Sequence, residues 1–198
     1  MNKNPINLAI DLILLPEFSK IGFRKYRNRG IYRINDGLLQ LVYLDKLRSK
    51  WHRVFYGSIP LFEPEVDIAF GEPGGNITKQ VSGANIEASE RSMKAILPEL
   101  NEIVFPVFER TFTVNGYCDY LENYIVNTDI ITYYCYRLAL AYAKIEDYNQ
   151  ALKLISKSNS NNEFLENRVH TLKKEIEEGS IKQFLIETEN KNKINLKF

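Results

Sequence analysis

Apolar residues recur with a helical period at the start of the chain, where Ile6, Leu8, Ile10, Ile13, Leu14 and Phe18 share one face. Pro16 predicts a kink or an end to that helix, and Gly22 stands where a helix stop is expected, just before Phe23. The period then changes. Ile31 to Ile34 reads as a short strand and Leu38 to Leu47 as a second, β-rich one. Asn35-Asp36-Gly37 between them is a tight-turn signal, because Asp-Gly accepts the positive φ that a two-residue hairpin turn requires. Trp51 to Phe62 predicts a third strand, with Trp51, Arg53, Phe55, Ile59 and Leu61 alternating on one face and His52, Val54, Tyr56 and Ser58 on the other. Val66 to Phe70 predicts a fourth. Gly71-Glu72-Pro73-Gly74-Gly75-Asn76 is a loop by composition, and weak patterning runs on to about Glu87.

From about Glu90 the pattern is helical. Met93 to Phe105 predicts one helix, with Pro98 in its first turn or kinking it, and Pro106 opens another short turn. Thr113 caps a helix through Tyr117, Leu121 and Ile125, and Thr128 caps one through Ile131, Tyr134, Leu138 and Tyr142. Asp147 caps Tyr148 to Ser156, and Ser160 with Glu163 forms a capping-box pattern before Phe164, Val169, Leu172 and Ile176. Gly179 ends that helix, and Ser180 caps a last one that frays into a polar tail from Asn190 to Phe198. No strand alternates with a helix in βαβ fashion, so an antiparallel meander is expected rather than a doubly wound sheet. The predicted class is α+β, with an N-terminal helix and antiparallel β-meander packed beside a C-terminal helical bundle and more helix than strand. Residues 1–90 make the helix-plus-sheet region and residues 91–198 the helical region of one compact domain.

The run Tyr136-Arg-Leu-Ala-Leu-Ala-Tyr-Ala-Lys-Ile-Glu-Asp-Tyr-Asn-Gln-Ala-Leu-Lys-Leu-Ile resembles one tetratricopeptide-type helix hairpin. Leu138, Ala139, Tyr142, Ala151 and Ile155 occupy its large, small, aromatic, small and large positions, and the two alanines permit close helix approach. A single repeat makes no solenoid, so an antiparallel helix pair within an ordinary core is the preferred reading. A wider resemblance rests on Phe18-Ser-Lys-Ile-Gly-Phe-Arg-Lys, Ile31-Tyr-Arg and Gly37-Leu-Leu-Gln-Leu-Val. These segments are similar to a bacterial family catalogued as domain of unknown function 4304, in which a helix ending in Gly-Phe leads into a β-meander and then helices near a proline such as Pro106. The Gly- and Asn-rich stretch near residues 71 to 85 departs from that pattern. The resemblance implies a fold class and a bacterial origin, and no activity.

The composition is that of globular material, 44% hydrophobic and 26% charged, at a length suited to one domain. Cys118 and Cys135 lie in apolar helical patterns and read as buried thiols of a reducing compartment. The first apolar stretch is interrupted by Asn7 and Asp11, lacks a small-residue cleavage site and is too short to span a membrane, so a cytoplasmic protein without membrane contact is expected. Net charge is +1, but it is unevenly spread: Lys20 to Arg53 holds ten basic residues against Asp36 and Asp45, while Val54 onward holds fifteen basic against twenty-one acidic. Such asymmetry marks either an anionic partner or a solvated hairpin.

No catalytic residue, metal ligand or cofactor is assigned. His52 and His170 stand far apart with no partner at ligand spacing. Glu63, Glu65 and Asp67 would share one side of an extended chain, suiting a hard cation, although solvated edge-strand charges are the preferred reading. There is no Gly-x-Ser-x-Gly elbow, and the loop at Gly71 lacks the Lys-Ser/Thr ending of a phosphate cradle and carries Glu72. The binding residues assigned are Lys20, Arg24, Lys25, Arg27, Arg29 and Arg33, which lie within fourteen residues containing no acid, interleaved with Phe23, Tyr26 and Tyr32. Guanidinium groups beside aromatic rings suit phosphates and unstacked bases, but the near-neutral whole argues against a dedicated nucleic-acid module. The expected function is a non-enzymatic protein-interaction module, antitoxin-like or immunity-like by class analogy alone, with nucleic-acid binding through residues 20–33 as the alternative.

Overall fold

The computed structural model describes residues 4–47, 50–66, 74–125, 131–156 and 163–198. The chain opens with Asn4 Oδ1 accepting the Ile6 N–H at 3.0 Å, which caps α1 (Pro5–Ala9). A π turn over Ile10–Leu14 follows, then α2 (Leu15–Phe18) and a 3-10 turn over Ser19–Ile21 that stops at Gly22, where φ is 89°. Pro16 has no N–H for the carbonyl four residues back, and the wider turn just before it absorbs the misfit. The same pairing recurs later, where a π turn over Leu100–Val104 precedes α4 (Phe105–Arg110) with Pro106 in its first turn.

Five strands form one antiparallel meander in the order β1 (Arg24–Tyr26), β2 (Gly30–Asn35), β3 (Leu38–Lys46), β4 (Trp51–Pro60) and β5 (Gly74–Ser82). The α+β class expected of the sequence is therefore the observed one, and helix exceeds strand. At the β2–β3 turn Asp36 has φ 50° and Gly37 φ 77°, the two positive values of the predicted hairpin turn. A Cβ at Gly37 would stand 2.9 Å from Glu189 Oε2 and 3.2 Å from the Phe62 ring, so space as well as backbone conformation calls for glycine here.

Several expectations need correction. β1 falls in a stretch to which no strand is assigned, and β5 occupies residues assigned to a loop and to weak patterning. Only Ile77, Val81 and Ser82 of β5 are buried, so the strand carries almost no hydrophobic alternation. What holds it is backbone pairing to β4 on one side and side chains of α3 (Ile86–Glu99) on the other. Glu99 Oε1 accepts the N–H and the hydroxyl of Thr78 at 2.6 and 2.7 Å, Glu99 Oε2 accepts the Lys79 N–H at 3.3 Å, and Ser92 Oγ accepts the Ser82 N–H at 2.9 Å. The Glu99 bonds meet the bulge of β5 at the register shift between Arg53 and Phe55. The alternation expected of β4 holds at its start, where His52 and Val54 are buried and Trp51 and Arg53 exposed, and is lost from Gly57 to Pro60, all four of which are buried. Of the expected strand Val66 to Phe70, residues 67–70 lie outside the described residues, and Val66 is in no strand.

The helical part begins earlier than Glu90, because Asn85 Oδ1 accepts the Ala88 N–H at 2.8 Å and starts α3 there. Pro98 consequently sits near the end of α3 rather than in its first turn, and Lys79 Nζ donates to the Ala95 carbonyl at 3.0 Å in the turn before it. The remaining helices are α5 (Val114–Ile125), α6 (Ile131–Lys144), α7 (Tyr148–Ile155), α8 (Glu163–Glu177) and α9 (Ile181–Leu196). Thr113 Oγ1 caps α5 through the Gly116 N–H at 3.2 Å, and Asp36 Oδ2 takes the Val114 N–H at 2.9 Å. Asp147 caps α7 through the Gln150 N–H at 3.1 Å, and Gly179, at φ 74°, stops α8. The caps expected at Thr128 and Ser160 fall outside the described residues. Ser180 makes no capping bond, since its hydroxyl is turned to Glu175 Oε2 at 2.6 Å. Nor does the end of the chain fray: α9 runs to Leu196 because the amide of buried Asn192 holds the carbonyls of Leu61 and Glu63 at 2.8 and 2.7 Å.

Two compact units, interleaved in sequence, make up the chain. The first comprises residues up to Ile34, Leu39–Ile59 and the stretch ending at Glu109, and so takes in α3 as well as most of the sheet. Its core joins Ile6, Ile10, Leu14 and Phe18 to Phe23, Val42, Val54, Met93 and Phe108, with Phe18 and Phe105 stacked at 4.4 Å between ring centres. The second comprises Asn35–Leu38, residues from Pro60 and Arg110–Phe198. Its core is built on Phe62, Tyr117, Leu121, Tyr136, Leu138, Leu172 and Leu185. Each fully buried side chain of this size contributes about 1.5–3 kcal/mol. Ala139 and Ala151, from the resemblance to a repeat hairpin, are both wholly buried in this second core.

Candidate functional site

The basic segment lies in the first unit, and its six cations are placed very differently. Lys20 is exposed on the 3-10 turn, Arg24 is exposed at the start of β1, and Arg29 is exposed just before β2. Among the described residues none of these three enters an ion pair. Arg27 is exposed too, with φ 48° and its guanidinium 5.0 Å from the centre of the Tyr26 ring. Lys25 is half-buried and ion-paired, Nζ standing 2.5 Å from Asp11 Oδ1. Arg33 is internal, only 7% exposed. Its Nε donates to Gln40 Oε1 at 2.6 Å, Nη1 to the Ile21 carbonyl at 3.1 Å and Nη2 to Glu109 Oε1 at 2.8 Å. Gln40 in turn donates to the Phe108 carbonyl at 2.5 Å, so Arg33 ties β2 and β3 to the end of α4. Its burial takes it out of any exposed surface.

Other residues extend the exposed set. The Leu44 N–H donates to the Arg29 carbonyl at 2.7 Å, and the Leu47 N–H to the Trp51 carbonyl at 3.1 Å. Arg29, Lys46, Lys50 and Trp51 therefore collect at one end of β2, β3 and β4. Lys46 and Lys50 are exposed, and Trp51 keeps 46% of its surface in water. Asp45, the carboxylate at this end, is bound to Arg53 at 2.7 Å. The positive field is felt by buried His52, whose imidazole is held below its ordinary value first by burial and then by Arg29 and Lys46, against opposition from a Val81 backbone bond and Asp45. Lys46 and Lys50 contribute to the charge asymmetry of the sequence, but only strand pairing brings them and Trp51 to the end of the sheet where Arg29 lies.

The second unit carries a buried charge cluster. Glu63 accepts from Arg137 Nε at 2.8 Å, from the Tyr133 hydroxyl at 2.7 Å and from Arg168 Nη1 at 3.3 Å. Burial and the Glu63 carboxylate both push the Tyr133 phenol upward; for Arg137 burial acts most strongly and downward, but Glu63 together with Tyr117 and Tyr133 outweighs it and leaves the guanidinium raised. This arrangement corrects the reading of Glu63 as a solvated strand charge. Asp67 lies outside the described residues, and among those described no group of three acidic, His or Cys side chains is placed to hold a metal ion. The signal for the cluster was Arg137 itself, a charge in the middle of an apolar helical stripe that must bring a carboxylate with it. Beside Arg168 the surface opens into a cleft of about 330 Å³, lined in part by Phe164, Thr171, Phe184, Thr188 and Lys191.

Cys118 and Cys135 are free and buried, and burial pushes the Cys118 thiol up to about 12, with Glu122 and Asp119 adding to the effect. This is the opposite of an activated nucleophile. Among the described residues no helix is long and apolar enough to cross a membrane. No family model, curated protein or solved structure matches the chain.

Proposed function

We propose that the chain is a non-enzymatic protein-interaction module of a bacterial cytoplasmic protein, antitoxin-like or immunity-like, whose partner presents an acidic surface. The observation that carries this reading is the exposed basic end of the sheet, where Arg27, Arg29, Lys46 and Lys50 lie at the same end as Trp51 and Asp45 is ion-paired with Arg53. Lys20 and Arg24 continue the positive surface along the chain. Exposed cations around an aromatic anchor form a surface that steers an anionic partner and then holds it on the ring. The bacterial part of this reading rests on the resemblance of the sequence to the domain of unknown function 4304 family. The exposed Trp51 supports a second reading, since an indole beside Lys50 also offers a stacking platform for an unpaired base.

The test places a photocrosslinkable phenylalanine analogue at exposed Asn28 of the full chain in the producing bacterium. The expected product is a discrete adduct with one acidic protein, abolished when Lys20, Arg24, Arg27 and Arg29 are changed to Glu. An adduct with nucleic acid supports the second reading. Adducts that survive the four substitutions overturn both.

A further inference from the structure

The cleft in the second unit has the parts of a small-molecule site. Its volume of about 330 Å³ falls at the lower end of the range for ligand pockets. Two cations, Arg168 and Lys191, face it together with the hydroxyl-bearing Thr171 and Thr188 and the rings of Phe164 and Phe184. The Arg168 guanidinium is held rather than waving in solvent: it is 11% exposed, lies 4.1 Å from the centre of the Phe164 ring and is anchored from the buried side by Glu63 at 3.3 Å. Phe164 leaves 55% of its surface exposed, an unusual fraction for a phenyl ring beside a preorganised cation. We infer that this cleft binds a small organic oxyanion, a phosphate monoester or a carboxylate, attached to an aromatic body.

Each part has a role in that recognition. A planar guanidinium pairs with carboxylate or phosphate oxygens in a fork, and fixing it in advance reduces what binding must spend on ordering it. Lys191 supplies a second positive charge at the mouth, and the two phenyl rings take the apolar body. The outer face of Arg168 is meanwhile met by Glu65 Oε2 at 3.6 Å, a contact beyond hydrogen-bond length from a side chain that is 70% exposed. Glu65 has φ 54°, a backbone conformation that residues other than glycine adopt reluctantly. Its carboxylate is thus the weakest partner in the cluster, and an incoming oxyanion takes its place. Glu63 stays where it is, fixed by Arg137 and Tyr133.

The experiment titrates the full chain calorimetrically with phenyl phosphate, benzoate, inorganic phosphate and benzylamine. Phenyl phosphate or benzoate is expected to bind one to one with a Kd below about 1 mM, inorganic phosphate at least about tenfold more weakly, and benzylamine not at all. The tighter of the first two probes separates a phosphoryl from a carboxylate ligand. Because paired surface charges couple weakly, Glu65→Gln should tighten binding about two- to fivefold by removing the competing carboxylate, and Lys191→Glu should loosen it by at least as much. Thr188→Trp fills the cleft and should abolish binding. Glu65 and Lys191 are exposed, so their variants keep the parent melting temperature and report on binding alone. The inference is overturned if neither aromatic probe saturates, if inorganic phosphate binds as tightly, if benzylamine binds, or if Glu65→Gln weakens or Lys191→Glu leaves unchanged the affinity of the bound probe.

Discussion

Arg137 donates its Nε–H to Glu63 Oε2 across 2.8 Å, and each of the two side chains is only 1% exposed. Two charges so thoroughly removed from water are tolerated because each supplies the other's counter-charge and because Tyr133 and Arg168 both donate to the other oxygen of the carboxylate, Oε1. Arg137→Met should therefore cost about 3–5 kcal/mol, since Glu63 keeps its burial and loses its buried counter-charge. Adding Glu63→Gln in the same chain should recover a substantial part of that loss. Urea unfolding of the two single variants and the double variant measures the coupling, and simple additivity would show that the pair does not act as a unit.

Ala139 and Ala151 are both wholly buried in the core of the second unit, where α6 and α7 contribute their small side chains. Ala151→Leu should cost about 1–3 kcal/mol through overpacking, read from the urea midpoint. A variant that unfolds with the parent would show that the helices have room to spare at this position.

The acid response has a definite order. His52 is held below 6.5, so the folded state favours its neutral form. Its contribution is complete above pH 6.5 and is lost as pH falls from there through the lower value of the folded protein. For Glu99, burial raises the carboxyl, but the hydroxyl and N–H of Thr78 and the N–H of Lys79 outweigh it and leave a net value below 4.5. That contribution is present above pH 4.5 and disappears as pH drops through the folded value. Melting temperature measured against pH should accordingly decline gently below 6.5 and more steeply below 4.5. His52→Phe should flatten the first segment relative to the parent, and Glu99→Gln the second.

The basic segment should divide under mutation as it divides in space. Changing exposed Lys20, Arg24, Arg27 and Arg29 together to Glu should move stability by no more than about 0.5 kcal/mol for each site. Arg33→Glu should instead cost about 3–5 kcal/mol, because it places a second carboxylate beside Glu109 in a largely buried position. Thermal melts of both variants check this. Equal losses would mean that the four exposed cations also belong to the fold.

Wherever a local rule dominates, the chain was legible. The Asp36-Gly37 turn, the stop at Gly22, the caps at Thr113 and Asp147 and the stop at Gly179 all depend on one or two residues whose backbone or hydrogen-bonding preference is strong. β5 was not legible, because its identity lies in Glu99 and Ser92, side chains of α3 that meet its backbone. The end of α9 failed for the same reason: Asn192 looks like tail material until its amide finds the carbonyls of Leu61 and Glu63, about 130 residues away.

The sequence by itself determined the class of the fold, the antiparallel meander with its hairpin turn, the burial of both cysteines and the concentration of positive charge after Lys20. Periodicity, turn chemistry and composition are local quantities, and each of these features depends on them. Tertiary structure alone decided that Arg33 is a tie within the first unit, that Lys46, Lys50 and Trp51 join Arg29 at one end of the sheet, and that Glu63 is the buried partner of Arg137 and Arg168. A charged side chain reads the same in sequence whether it faces water or a counter-ion. Which of the two it meets depends on residues distant in the chain, and burial makes an unmet charge cost too much for the fold to leave that choice open.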